Sequence, residues 1–504
     1  MDPVLITFSI YIIGMLVIGY YFYKKNDSIE DYFLGGRTLN PYVTALSAQA
    51  SDMSGWLLMG FPGALYAGGF NAMWIGIGLA IGTYLNWQFT ARRLRRYTEV
   101  VDSITIADYF EKRFKDKSHA LRIVSAAAIL VFFTIYVSSG LVAGGRLFES
   151  VLDINYQVAV YISVIIIGSY TFLGGFKAVS WTDFVQGSLM FIALVVVPIV
   201  VINMMGGLGE VWTQVAEVNP DLLNAGEKVN YNLARDIMWT SGPQSGDGIT
   251  FVGLISLLGW GLGYFGMPHI LVRFMGIKSA KQIPISQFVG VSWVVISLLG
   301  AVLVGIMGIV VLPEPLANSE MVFLVMIQEL FNPWLAGIFL AAVLAAIMST
   351  IDSQLLVSSS ALAEDFYKTL FRPSASQKEL LWISRATVAL ITILGLAFAL
   401  SGGTILDIVS YAWAGLGASF GPAILFSLFW KKTSRNGVLY GIISGGLMVI
   451  LWKNLWAAST GLYEIIPAFI LSSLVIFLIS YFGDGPTAEV EKEFEIAMKP
   501  LANE

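Results

Sequence analysis

The chain has 504 residues, of which 57% are hydrophobic and 12% charged, with mean hydropathy +0.75 and a formal net charge of -5. A soluble domain carries about 25% charge, so the composition fits a membrane protein, in which charge is sorted by side rather than by sum. The lack of cysteine excludes disulfides and thiolate metal sites, and two histidines, His119 and His269, leave little for imidazole metal chemistry.

Apolar runs of about 20 residues predict membrane spans. In chain order they fall at 3–23, 41–65, 69–91, 121–148, 156–173, 183–206, 249–272, 285–312, 334–357, 380–401, 405–430, 436–457 and 463–483, about thirteen in all. The first is long enough to span and lacks the basic stretch of a cleavable signal. If the spans alternate, the basic residues at 24–25, 92–96, 112–113, Lys177, Arg273, 278–281, 368–372 and 431–435 share one side. Arg146, Lys228, Arg235 and Lys453 fall on the other. The sorting predicts an outside amino terminus and a cytoplasmic carboxyl terminus. The outer loop at 207–248 is polar, and the charged tail after Asp484 is expected to be mobile.

The second span carries an acid at its centre, in Ala48-Gln49-Ala50-Ser51-Asp52-Met53-Ser54-Gly55-Trp56. A carboxylate at bilayer depth costs roughly 2.5–3.5 kcal/mol on insertion scales, so it marks a polar cavity or a partner. The small and polar residues around Asp52 suit a helix that breaks and offers carbonyls and amides to an ion and a solute. Asp183 stands at the start of the sixth span, in Ser180-Trp181-Thr182-Asp183, where an interfacial helix cap by Thr182 or Asp183 is the alternative reading.

The seventh span holds Gly259-Trp260-Gly261-Leu262-Gly263-Tyr264-Phe265-Gly266. Paired broken helices at matching positions of two inverted halves point to a transporter binding site. Close packing through glycine is the alternative. The same stretch matches G-x-G-x-x-G, but no strand precedes it, so it is not a dinucleotide site. In the ninth span, Ser349-Thr350-Ile351-Asp352-Ser353 sets adjacent hydroxyls beside a carboxylate, the oxygen ligands a hard cation takes. Back-bonding of the hydroxyls to the preceding turn competes with that reading. Asp352 and Asp183 lie toward one inward path, where they would hand on a departing ion, hold a second cation or share a proton; for Asp352 an exposed helix end is the alternative. Trp56, Tyr136, Trp260 and Tyr264 lie in or beside the broken or polar segments, as packing or as walls for a small apolar ring.

Gly35-Gly36-Arg37, Val43-Thr44-Ala45-Leu46-Ser47-Ala48 and the run Ala50 to Gly60 together resemble the sodium:solute symporter family. So do Ala178 to Asp183, Gly259 to Gly266, Phe331-Asn332-Pro333-Trp334, Glu364-Asp365, Ser410 to Gly415 and Leu462 to Pro467; the likeness runs from about residue 5 to about 485. The resemblance implies an all-α polytopic membrane protein with a five-plus-five inverted-repeat (LeuT-type) core, preceded by one helix and followed by two. The division expected is 1–40 for the leading helix and loop, 41–206 and 249–430 for the two repeats around the loop 207–248, 431–483 for the trailing helices and 484–504 for the tail.

The resemblance also implies sodium-coupled import of L-proline across the cell membrane by alternating access. It implies sodium on the carbonyls of Ala50, Met53 and Ala346 and the hydroxyls of Ser349 and Thr350. It implies proline near Ser54, Gly55, Trp56, Tyr136, Trp260 and Tyr264, with Arg37 and Asp52 important for sodium and transport. Where the proline carriers of this family have Ser-Thr-Leu-Ser-Cys, this chain has an added carboxylate, Asp352, which leaves stoichiometry and proton involvement open. Another amino acid or a carboxylate as solute, or an ion channel, are the alternatives. An enzyme is not expected, since the chain has no H-E-x-x-H, G-x-S-x-G or cysteine nucleophile. No nucleic acid or obligate protein partner is expected beside the bilayer, the solute and the ion.

Overall fold

Long apolar segments in this chain satisfy their backbone polar groups within themselves, and helices dominate the result. The computed structural model describes residues 3–23, 29–171, 175–233, 238–241 and 248–499. Lys24, Lys25, Arg235 and the last two residues of the fifth expected span lie outside the described residues.

The first span is α1 (Pro3–Tyr23). The second is α2 (Pro41–Asp52), a break at 53–55, a π-helical turn Trp56–Gly60 and α3 (Phe61–Gly68). Gly69, at φ +65°, turns the chain where a Cβ would stand 2.5 Å from the Leu222 carbonyl oxygen. The third span is α4 (Met73–Leu85), continued by the π-helical segment Asn86–Ala91 and by α5 (Arg92–Val100). A short α6 (Ile106–Arg113) leads to α7 (Ala120–Leu152), α8 (Tyr156–Thr171) and α9 (Phe176–Met204).

The loop at 207–248 is more structured than its polarity suggested. It contains α10 (Leu208–Val218) and a hairpin of β1 (Val229–Tyr231) and β2 (Trp239–Ser241), paired antiparallel with Asn230 opposite Thr240. Trp239 fastens the hairpin to the bundle by donating Nε1–H to the Tyr66 carbonyl at 2.7 Å.

The seventh span is α11 (Phe251–Leu258), a 3₁₀ segment Gly259–Gly266 and α12 (Pro268–Gly276), with a bend of 45° at the break. There follow α13 (Ile283–Val311), α14 (Val322–Leu330), α15 (Pro333–Ser360), α16 (Gln377–Ala399), α17 (Ile405–Phe429), α18 (Arg435–Leu455) and α19 (Ile465–Phe482). Asn40 before Pro41 and Asn332 before Pro333 start α2 and α15 alike: each Asn side chain accepts two backbone N–H groups, and Pro takes the position whose N–H is not needed. Among the described residues ten helical stretches are long and apolar enough to cross a membrane, eleven with the bent pair counted as one. Each of the thirteen expected spans coincides with a helix or a broken helix, although the fifth, α8, is short.

Three expectations change. Helix α9 begins at Phe176, so Asp183 is two turns inside it and not at an interfacial cap; the N-cap residue is Gly175. Helix α15 runs on to Ser360 and continues as a π-helix over Ala361–Phe371, so Asp352 is fully buried rather than at an exposed helix end. The tail carries a docked helix: α20 (Ala488–Met498) lies along α5, with Val490 and Ala497 buried and Glu493 2.6 Å from Lys115.

Helix α2 packs against α9, α12, α13 and α15, and the 3₁₀ segment packs against α4 and α17. Both breaks are therefore enclosed by the protein, where irregular backbone at membrane depth is tolerated.

Candidate functional site

The end of α2 leaves carbonyls with no helical partner. Gln49 O takes the Met53 N–H at 2.8 Å, and Asp52 O takes the Ser54 N–H and the Trp56 indole N–H, both at 2.9 Å. Ala50 O is met from α15, by the hydroxyls of Ser349 at 2.8 Å and Thr350 at 3.2 Å. The Ser349 hydroxyl also lies 3.1 Å from Ala346 O. It has one proton for two carbonyls, so the place is rich in lone pairs and short of protons. Ala50, Ala346, Ser349 and Thr350 thus converge. Met53, the residue that ends α2, leaves helical geometry at φ −78°, ψ 75° beside them.

Asp52 is fully buried. One of its oxygens accepts the Tyr264 hydroxyl at 2.6 Å, while Oδ1 is buried with no partner among the described residues. That bond joins the break in α2 to the break in the seventh span. Tyr264 is held from behind: its carbonyl accepts the Asn86 side-chain N–H at 2.9 Å, and its ring meets Trp413 edge-on at 5.1 Å. Trp413 in turn donates to the Trp260 carbonyl at 2.8 Å, and the Trp260 ring lies against Tyr463 at 5.5 Å. The 3₁₀ glycines serve close packing as well as the break. A Cβ on Gly261 would fall 2.3 Å from Gly78 O, and one on Gly263 1.9 Å from the Trp413 indole nitrogen.

Ser54 and Gly55 lie in the break after α2 and Trp56 opens the π-helical turn that follows, all buried. A Cβ on Gly55 would stand 2.6 Å from Ala143 Cβ on α7. Tyr136, two turns before Ala143 on the same face of α7, meets the His269 ring edge-on at 6.1 Å, and its hydroxyl is buried.

One turn along α2 from these groups is a buried polar network that local sequence reading missed. Asp183 Oδ2 accepts the Ser47 hydroxyl at 2.7 Å, the Ser51 hydroxyl at 3.2 Å and Arg273 Nη2 at 3.2 Å. Arg273 also donates to Ser47 Oγ, to the His269 carbonyl and to Ser353 Oγ, the last at 2.6 Å. Ser353 donates to Ser51 at 3.0 Å. The Asp183–Arg273 pair is fully buried and locks α2, α9, α12 and α15 together. Asp352, one residue before Ser353 on α15, is fully buried. Arg273 marks a span end when read locally; its spacing of four from His269 is the single local hint, and its partner is 90 residues away.

Arg37 lies elsewhere. Its guanidinium donates to the carbonyls of Met275, Thr98 and Ser103 at 3.0, 3.0 and 2.7 Å, stapling the ends of α5 and α12.

A membrane bundle with two enclosed helix breaks, joined through Asp52 and Tyr264 beside converging hydroxyls and carbonyls, defines a secondary transporter with the LeuT-type five-plus-five core. The chain belongs to the sodium:solute symporter family, whose sequence model matches residues 32–445, and sodium is accordingly its co-transported ion. It is 48% identical over 505 residues to a "Sodium/proline symporter" of Escherichia coli strain K12, covering 98% of this chain and 95% of that protein. It is 46% identical over 504 residues to the "Osmoregulated proline transporter OpuE" of Bacillus subtilis strain 168, covering 99% and 98%. It is 47% identical over 485 residues to that strain's "High-affinity proline transporter PutP", covering 95% and 98%. Among solved structures, an outward-open, substrate-bound Na⁺-coupled sialic acid symporter shares the fold at 18% identity and TM-score 0.78, covering 97% of this chain and 99% of that one. The nucleobase-cation symporter Mhp1 in a closed conformation shares it more distantly, at 12% identity and TM-score 0.54, covering 94% and 99%.

Proposed function

We propose that the protein imports L-proline with sodium by alternating access. The observation that carries this reading is the convergence of the Ser349 and Thr350 hydroxyls on the Ala50 carbonyl at the break in α2. A sodium ion bound there would replace two protons as the partner of these oxygens, drawing on the carbonyls of Ala50, Met53 and Ala346 and the hydroxyls of Ser349 and Thr350. Hard cations take such oxygen ligands.

Proline would sit at the same break, near Ser54 and Gly55, with its carboxylate toward the backbone N–H of Gly55. Its ring would lie among Trp56, Tyr136, Trp260 and Tyr264. Ion and solute then share one short, broken stretch of α2, so each would order the backbone the other needs. That is the physical basis of coupling.

Asp52, through Tyr264, would report the state of one break to the other. The Asp183–Arg273 lock would close the path on the side to which α2 begins. Asp352 would compete with Asp183 for Arg273 and so ease release of the ion. Arg37 would act through the α5 and α12 ends rather than on the ion. By the sorting of basic residues, that side is the cytoplasm and the amino terminus is outside, with the two repeats at 41–206 and 249–430.

Uptake of labelled proline and of competing amino acids into proteoliposomes, with and without sodium, tests the reading. Sodium-dependent uptake that proline competes for best is the expected result; equal uptake in choline overturns it.

A further inference from the structure

An apolar groove of about 380 Å³ opens on the lipid-facing side between α4 with its π-helical continuation and the end of α17. Leu85 and Phe89 form one wall, and Leu425, Phe426, Phe429 and Trp430 the other. Phe265, 9% exposed, closes its base, while Phe89 and Phe429 at its rim are 48% and 42% exposed. The π-helical segment Asn86–Ala91 turns Phe89 outward while keeping Asn86 inward on the Tyr264 carbonyl.

A cation stands at one end. The Arg93 guanidinium lies 4.2 Å over the Phe429 ring and donates Nη1–H to the Leu428 carbonyl at 3.0 Å, with Met498 Sδ at 3.4 Å. Its Nε and Nη2 donate to no protein acceptor, and it pairs with no carboxylate, among the described residues. Arg92, exposed, precedes it. An aromatic trough with a half-buried arginine at its mouth matches one amphiphile in both parts: an acyl chain for the trough and a phosphate for the N–H donors.

We propose that this groove binds an anionic glycerophospholipid, one acyl chain between α4 and α17 and its phosphate on Arg93. Charge complementarity selects the anionic lipid, since each near-surface cation adds about 1 kcal/mol of attraction to such headgroups. The chain end would press on Phe265, the neighbour of Tyr264, and so brace the 3₁₀ segment from outside. The lipid becomes a structural part of the wall that carries the break.

Native mass spectrometry of the delipidated full-length protein, with dioleoylphosphatidylglycerol or dioleoylphosphatidylcholine added at equal concentration, tests the site. Wild type should retain phosphatidylglycerol at least fivefold better, Arg93→Gln should lose roughly fivefold of that affinity, and Arg93→Lys should keep most of it. Leu425→Trp, which fills the groove, should weaken both lipids. Equal retention of the two lipids by wild type, unchanged binding in Arg93→Gln or in Leu425→Trp, or equally effective competition by water-soluble glycerophosphoglycerol overturns the proposal. The expected effect on transport rests on the proline reading: uptake should fall about threefold in pure phosphatidylcholine vesicles for wild type, and Leu425→Trp should be insensitive to the lipid. The binding arms need no transported solute, so failure of the lipid site and failure of the proline assignment are distinguishable.

Discussion

Ser349 offers one hydroxyl proton to two carbonyls, and that shortage is what makes its position suited to a cation. Removing either hydroxyl, in Ser349→Ala or Thr350→Ala, leaves the ion under-coordinated. A hydrogen bond to a charged group is worth roughly 1.5–3 kcal/mol, so the sodium half-saturation should rise about ten- to a hundredfold. The proline half-saturation should rise with it, because binding coupling is reciprocal. Unchanged sodium dependence in both variants would place the ion elsewhere. Trp260 and Tyr264 separate differently. Trp260 offers its ring, while its carbonyl is already spoken for by Trp413; Trp260→Ala should raise the proline half-saturation by about tenfold, as ~1.4 kcal/mol of apolar contact is lost, with the sodium value within twofold. Tyr264→Phe should move both, because its hydroxyl donates to Asp52. Asp352→Asn replaces a buried carboxyl next to Ser353, which accepts from Arg273, while keeping its shape. Proline binding in sodium should persist and turnover, or its pH dependence, should change. A wild-type turnover, sodium affinity and pH profile together would remove Asp352 from the ion path.

At the level of elements, the two breaks are held by backbone-to-backbone contact that only glycine permits. A Cβ on Gly82 would stand 2.3 Å from Gly261 O, and overpacking of this kind costs about 1–3 kcal/mol. Gly82→Ala should therefore lower the melting temperature and raise the proline half-saturation together, since α4 and the 3₁₀ segment are pushed apart. A stable variant with wild-type proline affinity would show that the contact is not tuned. The breaks were legible in the chain because polar and small residues interrupt apolar runs at Asp52 and at Gly259–Gly266. The start of α9 was not. Thr182 looks like a cap in sequence, yet its hydroxyl bonds back to the carbonyls of Ala178 and Val179 inside the helix. The length of α15 was hidden in the same way. Ser353, Gln354 and Ser358 to Ser360 end an apolar run, but protein rather than lipid surrounds them. The Asp183–Arg273 lock had no interrupted run to mark it and only the spacing of Arg273 from His269 as a hint, because its members come from helices far apart in sequence and each alone reads as a span-end charge.

For the whole molecule, the acidic helix α20 against α5 ties the tail to the same end of the bundle as the lock, through Lys115 and Lys431. The bundle between the two ends must then support accumulation against a gradient. A membrane potential of 100 mV contributes about 2.3 kcal/mol per charge moved, and a tenfold sodium gradient adds about 1.4 kcal/mol. With one sodium per zwitterionic proline, these sum to an accumulation on the order of several hundredfold, and one net charge enters in each cycle. Proteoliposomes with an imposed potassium diffusion potential should therefore take up proline faster and further when the interior is negative, and only with sodium outside. The ratio of charge to proline, read from current and tracer together, should be one. A ratio of two would bring a second cation into the cycle, and the region of Asp183 and Asp352 is where the charges to receive it lie. Uptake indifferent to potential would mean that the ion's charge is compensated within the cycle, and the single-sodium scheme would fall.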